Sequence, residues 1–213
     1  AIGSDFKIDA SYLSPNVNLA SRVQYATRQF GVHILISGMV HDLLSSEIQI
    51  LMREIDCVEL KGSKQAMHLW TYDMDLSLLQ EQELDLSSLD DTKRKIYQKL
   101  MKERLYEYRK EVKFFHKQIY EGRISGKQVF LSKPLVLKVH SRFSKQFYDT
   151  WNTGYKLYIE GEWAKARPYF EETRDKILPG YFDNPSEVIL GFLSAANDTK
   201  PSYWKGVRKL TSK

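Results

Sequence analysis

Apolar side chains recur at helical spacing from residue 15 onward: Val17, Leu19, Ala20, Val23 and Ala26. Ser14-Pro15 stands in front of them and reads as a helix start. A Ser hydroxyl can accept from a free backbone N–H, and Pro suits the first helical position. The next long pattern spans residues 93–120, where Tyr97, Leu100, Leu105, Tyr106, Tyr108, Phe114, Phe115 and Tyr120 alternate with Lys and Arg. This spacing predicts one long amphipathic helix. Between these parts, Leu76 to Asp91 is acidic and Leu-rich and reads as a linker holding a short helix. Gly122, Gly126 and Pro134 bracket the short apolar run Val129-Phe130-Leu131, which reads as an extended segment. From Phe143 the period is helical again. Phe147, Trp151, Tyr155, Leu157 and Tyr158 form one face, Gly161-Glu162-Trp163 a turn, and Ala164, Ala166, Tyr169, Phe170 and Ile177 a second face that stops at Pro179-Gly180. Pro185 to Leu193 reads as a further short helix.

Composition narrows the class. The chain has 213 residues, a formal charge of +5 and one cysteine, Cys57. A lone cysteine forms no internal disulfide, which suits a reducing, intracellular compartment. The longest apolar stretch, Val32 to Val40, contains His and Gly and falls far short of a membrane span. Much of the positive charge lies in residues 93–145, interleaved with aromatics. No nucleic-acid-binding motif accompanies it, so nucleic acid is not an expected partner. The remaining readings of that helix are a solvated basic face opposite an aromatic core face, or a helix that docks on a partner protein.

Asn18 and Arg22 are four apart on the first helix, so they share a face. An amide beside a guanidinium can grip a sugar and a phosphate oxygen, and the planar Arg fork matches phosphate geometry. The pair is commonplace on solvated helix faces when taken alone. Its setting is more specific. Asn18-Leu19-Ala20-Ser21-Arg22 resembles the N-x-A-S/A-R helix of class III nucleotide cyclases. Ala1-Ile2-Gly3-Ser4 resembles the strand and turn before that motif, and Gly31-Val32-His33-Ile34-Leu35-Ile36-Ser37 the next buried strand. Arg53 through Gly62 resembles the family's paired strand ending in Lys-Gly, and Tyr72-Asp73 falls where the domain usually closes. The resemblance covers roughly residues 1–74.

The resemblance implies roles. Asn18 would orient the ribose, Arg22 would stabilise charge developing on the α-phosphate, and Lys61 would pair with the terminal phosphates. Ser11, seven before the Asn, would lie at the purine edge. A Ser can donate or accept, so it excludes neither base; ATP is slightly favoured over GTP. Without the resemblance, Lys61 reads as a solvated turn lysine and Ser11 as a strand hydroxyl packed under the helix. The family's two metal-binding aspartates precede the matched part, and Asp5 and Asp9 fit neither setting. Mg or Mn ligands are therefore expected before residue 1, in a longer polypeptide, and this chain alone is expected to be inactive. The family pairs two halves, so a second cyclase half, in a homodimer or a tandem domain, is an expected partner. Membrane attachment through other parts of the parent is left open, as is a place in a ciliary assembly.

The segment from about Phe143 to its stop at Pro179-Gly180 resembles one tetratricopeptide-like hairpin, which cannot bury its face alone. Trp204-Lys205-Gly206-Val207-Arg208 resembles a tail found after the cyclase domain in some protist cyclases. The expected fold class is α+β: a partial ferredoxin-like cyclase half-domain over 1–75, a linker over 76–91, a basic helix and extended segment over 92–141, and a helical hairpin and tail over 142–213. The half-domain is too short to bury a good core and is expected to pack on a partner or on preceding sequence.

Overall fold

The computed structural model describes residues 2–4, 7–9, 15–60, 65–79 and 90–210, and its architecture is α+β. Two compact units emerge: residues 1–74 together with 142–213, and residues 75–141.

In the first unit, strands β1 (Ile2–Ser4) and β2 (Lys7–Asp9) form an antiparallel pair. Helix α1 (Pro15–Phe30) follows. It buries Val23, Ala26 and Phe30, leaving Val17 about half exposed. Gly31 ends the helix at a φ of 63°, and Val32 N–H donates back to the Thr27 carbonyl at 3.0 Å. A left-handed residue at this place is a common helix stop, and Gly adopts it without steric cost.

The central sheet has four strands in the order β3-β5-β4-β6. Strand β3 is only Ile36–Ser37, shorter than the seven-residue strand that the family resemblance suggests. Ser37 instead starts the short helix α2 (Gly38–His41) and accepts from Val40 N–H at 3.4 Å. A second short helix, α3 (Ser46–Gln49), leads into β4 (Met52–Leu60). Strand β4 pairs antiparallel with β5 (Ala66–Tyr72). Their register shifts between Glu54 and Asp56. One extra residue there moves the buried positions from Arg53 and Ile55 to Asp56, Val58 and Leu60, so one face stays turned inward across the bulge.

Helices α7 (Lys145–Glu160), α8 (Trp163–Asp175) and α9 (Asn184–Ala195) complete this unit. Helices α4 (Asp91–Tyr120), α5 (Gly126–Leu131) and α6 (Pro134–His140) belong to the second unit. Gly161, at φ 85°, joins α7 to α8. Ser144 caps α7 and Asp183 caps α9, each accepting from a backbone N–H of the first turn. One core spans the sheet and these helices: Ile55, Val58 and Leu69 meet Trp151, Tyr158, Trp163, Phe170, Ile189 and Leu193, all essentially inaccessible. The hairpin and the half-sheet thus cover each other's apolar faces. The core that was expected to need a partner or preceding sequence is filled from residues 142–213.

The tail adds a strand that periodicity does not announce. Strand β6 (Arg208–Leu210) runs parallel to β4, pairing Val58 with Arg208.

The second unit begins with a 3₁₀ turn at Leu76–Leu79. Helix α4 (Asp91–Tyr120) is 30 residues long and capped by the Asp90 carboxylate on Lys93 N–H. The aromatic core face expected for it does not form, because none of its residues is buried. The segment expected to be extended around Val129 is helix α5 (Gly126–Leu131). Ser125 and Gln128 build a reciprocal capping box at its start, and that local chemistry outweighs the β-leaning Val-Phe-Leu run. Helix α6 (Pro134–His140) follows, with Pro at its start. Among the described residues, no helix is long and apolar enough to cross a membrane.

Candidate functional site

Helix α1 carries the expected pair. Asn18 and Arg22 are both exposed, one turn apart on one face, a spacing that places their Cβ atoms roughly 5–6 Å from each other. The buried residues Val23, Ala26 and Phe30 hold a flank roughly 90° round the helix in the core. The helix is further pinned at its end, where the Asn184 side chain lies against Gly31 and donates to its carbonyl at 3.5 Å. The face is therefore presented by a helix fixed at its base.

A groove of about 700 Å³ runs along another flank of α1. Leu19, Ala20, Val23, Ile36, Met39 and Leu43 line much of it. At about 100° per residue, its helix positions centre roughly 150° away from the Asn18–Arg22 face. The groove is apolar and is not the pair's pocket.

Lys61 and Ser11 lie outside the described residues. Of the four candidate residues, the structure brings Asn18 and Arg22 together.

The implied metal ions find no fit in the described chain. Among the described residues, no group of three or more His, Cys, Asp and Glu side chains is placed to hold one. The most buried carboxylates are committed elsewhere. Arg53, with a side chain fully buried, donates to Asp73 at 2.9 and 2.6 Å and to Asp183 at 3.1 and 2.8 Å. Its guanidinium also lies 4.2 Å from the Trp151 ring centroid and 4.9 Å from that of Phe147. Burial opposes the Arg53 cation, but the charges of Asp183 and Asp73 prevail and hold its pKa above the ordinary value. Asp183 also accepts from Ser186 N–H at 3.0 Å, so the same carboxylate caps α9.

Asp56 is held by Arg208, whose Nε donates at 2.6 Å. Burial raises the Asp56 pKa, with Arg208 pulling against it. The tail motif owes its residues to this corner. Trp204 donates its indole N–H to the Ile159 carbonyl at 3.1 Å, Gly206 takes a φ of 76° against Ile159, and Arg208 reaches Asp56 between the rings of Phe30 and Phe192. The motif is structural glue between β4, α7 and the end of the chain. Sequence reasoning gave it no role, because its partner Asp56 is 152 positions away.

A second constellation looks chemical. Cys57 Sγ lies 3.9 Å from His68 Nε2, and His68 Nδ1 lies 2.5 Å from Glu54 Oε1, which also accepts from the Tyr155 hydroxyl at 2.8 Å. The order Cys, His, carboxylate suggests a nucleophile with its base. The electrostatics argue otherwise. Burial, with Asp56 and Glu54 adding to it, pushes the Cys57 thiol up to about 11. Reactive cysteines sit in electropositive surroundings that lower the pKa, and this one sits among carboxylates.

No protein-family model, no curated protein and no solved structure matches the chain.

Proposed function

We propose that this chain is the C-terminal part of a class III nucleotide cyclase, supplying one half of a composite site that converts ATP, or GTP, to the cyclic nucleotide and pyrophosphate. The observation that carries the proposal is the pairing of Asn18 and Arg22 on one exposed face of a helix anchored in a core. The succession of α1, β3 and the paired strands β4 and β5 adds support, since it follows the order of elements in the resemblance.

In this reading the ribose 3′-oxygen attacks the α-phosphorus, its proton leaves, and the bond from the α-phosphorus to the bridging oxygen breaks to release pyrophosphate. Asn18 orients the ribose. Arg22 donates to the α-phosphate oxygens where negative charge grows, and Lys61 holds the terminal phosphates. Fixed donors aimed at a developing oxyanion commonly supply about 3–4 kcal/mol each. The pair lies on an open helix face, so water is excluded from it only when a second half closes over it. Metal-binding carboxylates belong to that other half in this reading, because no group of three or more His, Cys, Asp and Glu among the described residues is placed to hold a metal, and Asp73, Asp183 and Asp56 are engaged by Arg53 and Arg208.

A second reading is a catalytically inactive, cyclase-like structural or regulatory module within a larger assembly. It is favoured by the shared core, in which residues 142–213 are built into the cyclase-like half through Arg53, Asp183 and Arg208.

The test is cyclic nucleotide production by the full-length parent polypeptide with Mn²⁺ and ATP or GTP, beside Arg22→Ala. A fall of a hundredfold or more in turnover, with an unchanged circular dichroism spectrum, is expected. No product with either nucleotide from folded parent protein would sink the catalytic reading and leave the module.

A further inference from the structure

Helix α4 carries a stripe that its own unit covers only in part: Met101, Val112 and Phe115 are half-buried, with Lys133 Nζ 4.5 Å from the Phe115 ring centroid, while Leu105, Tyr108 and Ile119 are exposed. Met101, Leu105, Tyr108, Val112, Phe115 and Ile119 are spaced 4, 3, 4, 3 and 4 apart. That is a 3.5-residue repeat, the spacing of a coiled-coil seam. None of the six is buried, and Leu105 and Tyr108 are 48% and 60% exposed. The seam runs about 27 Å from Met101 to Ile119 at 1.5 Å per residue. A seam of this length left partly open to water is unfavourable, and such patches mark interaction surfaces.

The charges beside the seam define what fits it. With Leu105 and Val112 as a positions and Met101, Tyr108 and Phe115 as d positions, the flanking e and g positions hold Lys102, Arg104, Arg109, Glu111, His116 and Gln118. Glu111 is engaged by Lys133 of the same unit. Lys102, Arg104 and Arg109 are exposed and make no ion pair among the described residues, whereas Glu103 and Glu107, away from the seam, are paired with Lys99 and Lys110. The seam is thus edged by unneutralised positive charge. A parallel second copy would set Arg104 against the other copy's Arg109. An antiparallel copy would bring together the e positions, which are Lys102, Arg109 and His116. The parallel arrangement and the e positions of the antiparallel one oppose like charges, and the antiparallel pairing of Arg104 with Glu111 would compete with Lys133 for that carboxylate. A lipid surface suits the helix less well, because its face away from the seam mixes Glu103 and Glu107 with lysines, where a membrane-lying helix has a uniformly basic polar face.

We infer that α4 is a docking helix for an acidic partner helix, which packs its own a and d residues on Leu105, Tyr108 and Val112 and sets Asp or Glu against Lys102, Arg104 and Arg109. Complementary e and g charges choose the partner, and the apolar seam supplies the affinity.

The test uses the full chain and two synthetic 28-residue peptides with Leu at every a and d position. One peptide has Glu at e and g, the other Lys, and binding is read by fluorescence anisotropy. The Glu peptide is expected to bind at least tenfold more tightly at 50 mM NaCl, with the gap narrowing at 500 mM as salt screens the flanks. Arg104→Glu with Arg109→Glu should reverse the preference. Leu105→Gln with Tyr108→Gln should abolish binding while leaving the melting temperature unchanged, since neither residue is buried and Gln is a good helix former. Equal binding of both peptides, binding of neither, tight self-association in sedimentation, or preferential binding to phosphatidylserine vesicles that the Glu peptide does not displace would each overturn the inference.

Discussion

Replacing Arg53 by Met should remove much of the stability of the unit formed by residues 1–74 and 142–213. Arg53 makes four hydrogen bonds to two carboxylates, and the Asp73 and Asp183 side chains are 2% and 0% exposed. Met fills much of the volume beside Trp151 but leaves both carboxylates buried without their cation. Breaking a buried pair by removing one partner costs about 3–5 kcal/mol, most of it the penalty of the orphaned charge. A whole domain is typically stable by only about 5–15 kcal/mol. At roughly 2–4 °C per kcal/mol for a domain of this size, the melting temperature should fall by about 6–20 °C. Urea titration followed by tryptophan fluorescence reads this directly, because Trp151 stacks on the guanidinium. Lys at position 53 should rescue little, since an ammonium cannot reproduce the fork that spans both carboxylates. A cycle with Asp73→Asn distinguishes the mechanism: the double variant should lose at least about 1 kcal/mol less than the sum of the singles. A folded Arg53→Met protein destabilised by under about 1 kcal/mol would refute the reasoning, and additive singles would show that the carboxylates are not strained by the cation's loss.

Cys57 should resist thiol reagents in the native state, labelling slowly at pH 8 and rapidly in denaturant. Its folded pKa, about 11, lies above the ordinary 9.0, so this group favours the fold fully below pH 9 and loses that contribution as pH rises through about 11; an alkaline melting series should show the decline, and fast native labelling at pH 8 would contradict the buried acidic setting. Gly154 should not tolerate Ala. An added Cβ would stand 2.7 Å from Tyr169 Cβ where α7 crosses α8, so the overpacking cost of about 1–3 kcal/mol should exceed the gain of up to about 1 kcal/mol in helix propensity. A Gly154→Ala protein that melts higher than the parent would show that the two helices separate easily.

The sequence by itself determined the local elements wherever one physical signal dominated. Of the helical recurrence Val17, Leu19, Ala20, Val23 and Ala26, the core takes Val23 and Ala26 and adds Phe30, while Val17 and Ala20 stay exposed; the same arithmetic put Asn18 and Arg22 together on an exposed face. Trp151, Tyr155 and Tyr158 likewise marked the buried face of α7, and Gly161 the turn after it. Where two local signals competed, the pattern misled. Val129-Phe130-Leu131 reads as extended, yet the Ser125–Gln128 capping box starts a helix there. What spans long sequence separations was settled by the tertiary structure alone. Arg53 and Asp183 are 130 positions apart, and Asp56 and Arg208 are 152 apart. No periodicity links such residues. Their pairing follows only once the hairpin closes on the sheet and burial makes an unpaired charge too costly to leave. The open seam of α4 is decided in the same way. Its spacing is written in the sequence, but only packing shows that its unit leaves Leu105, Tyr108 and Ile119 exposed.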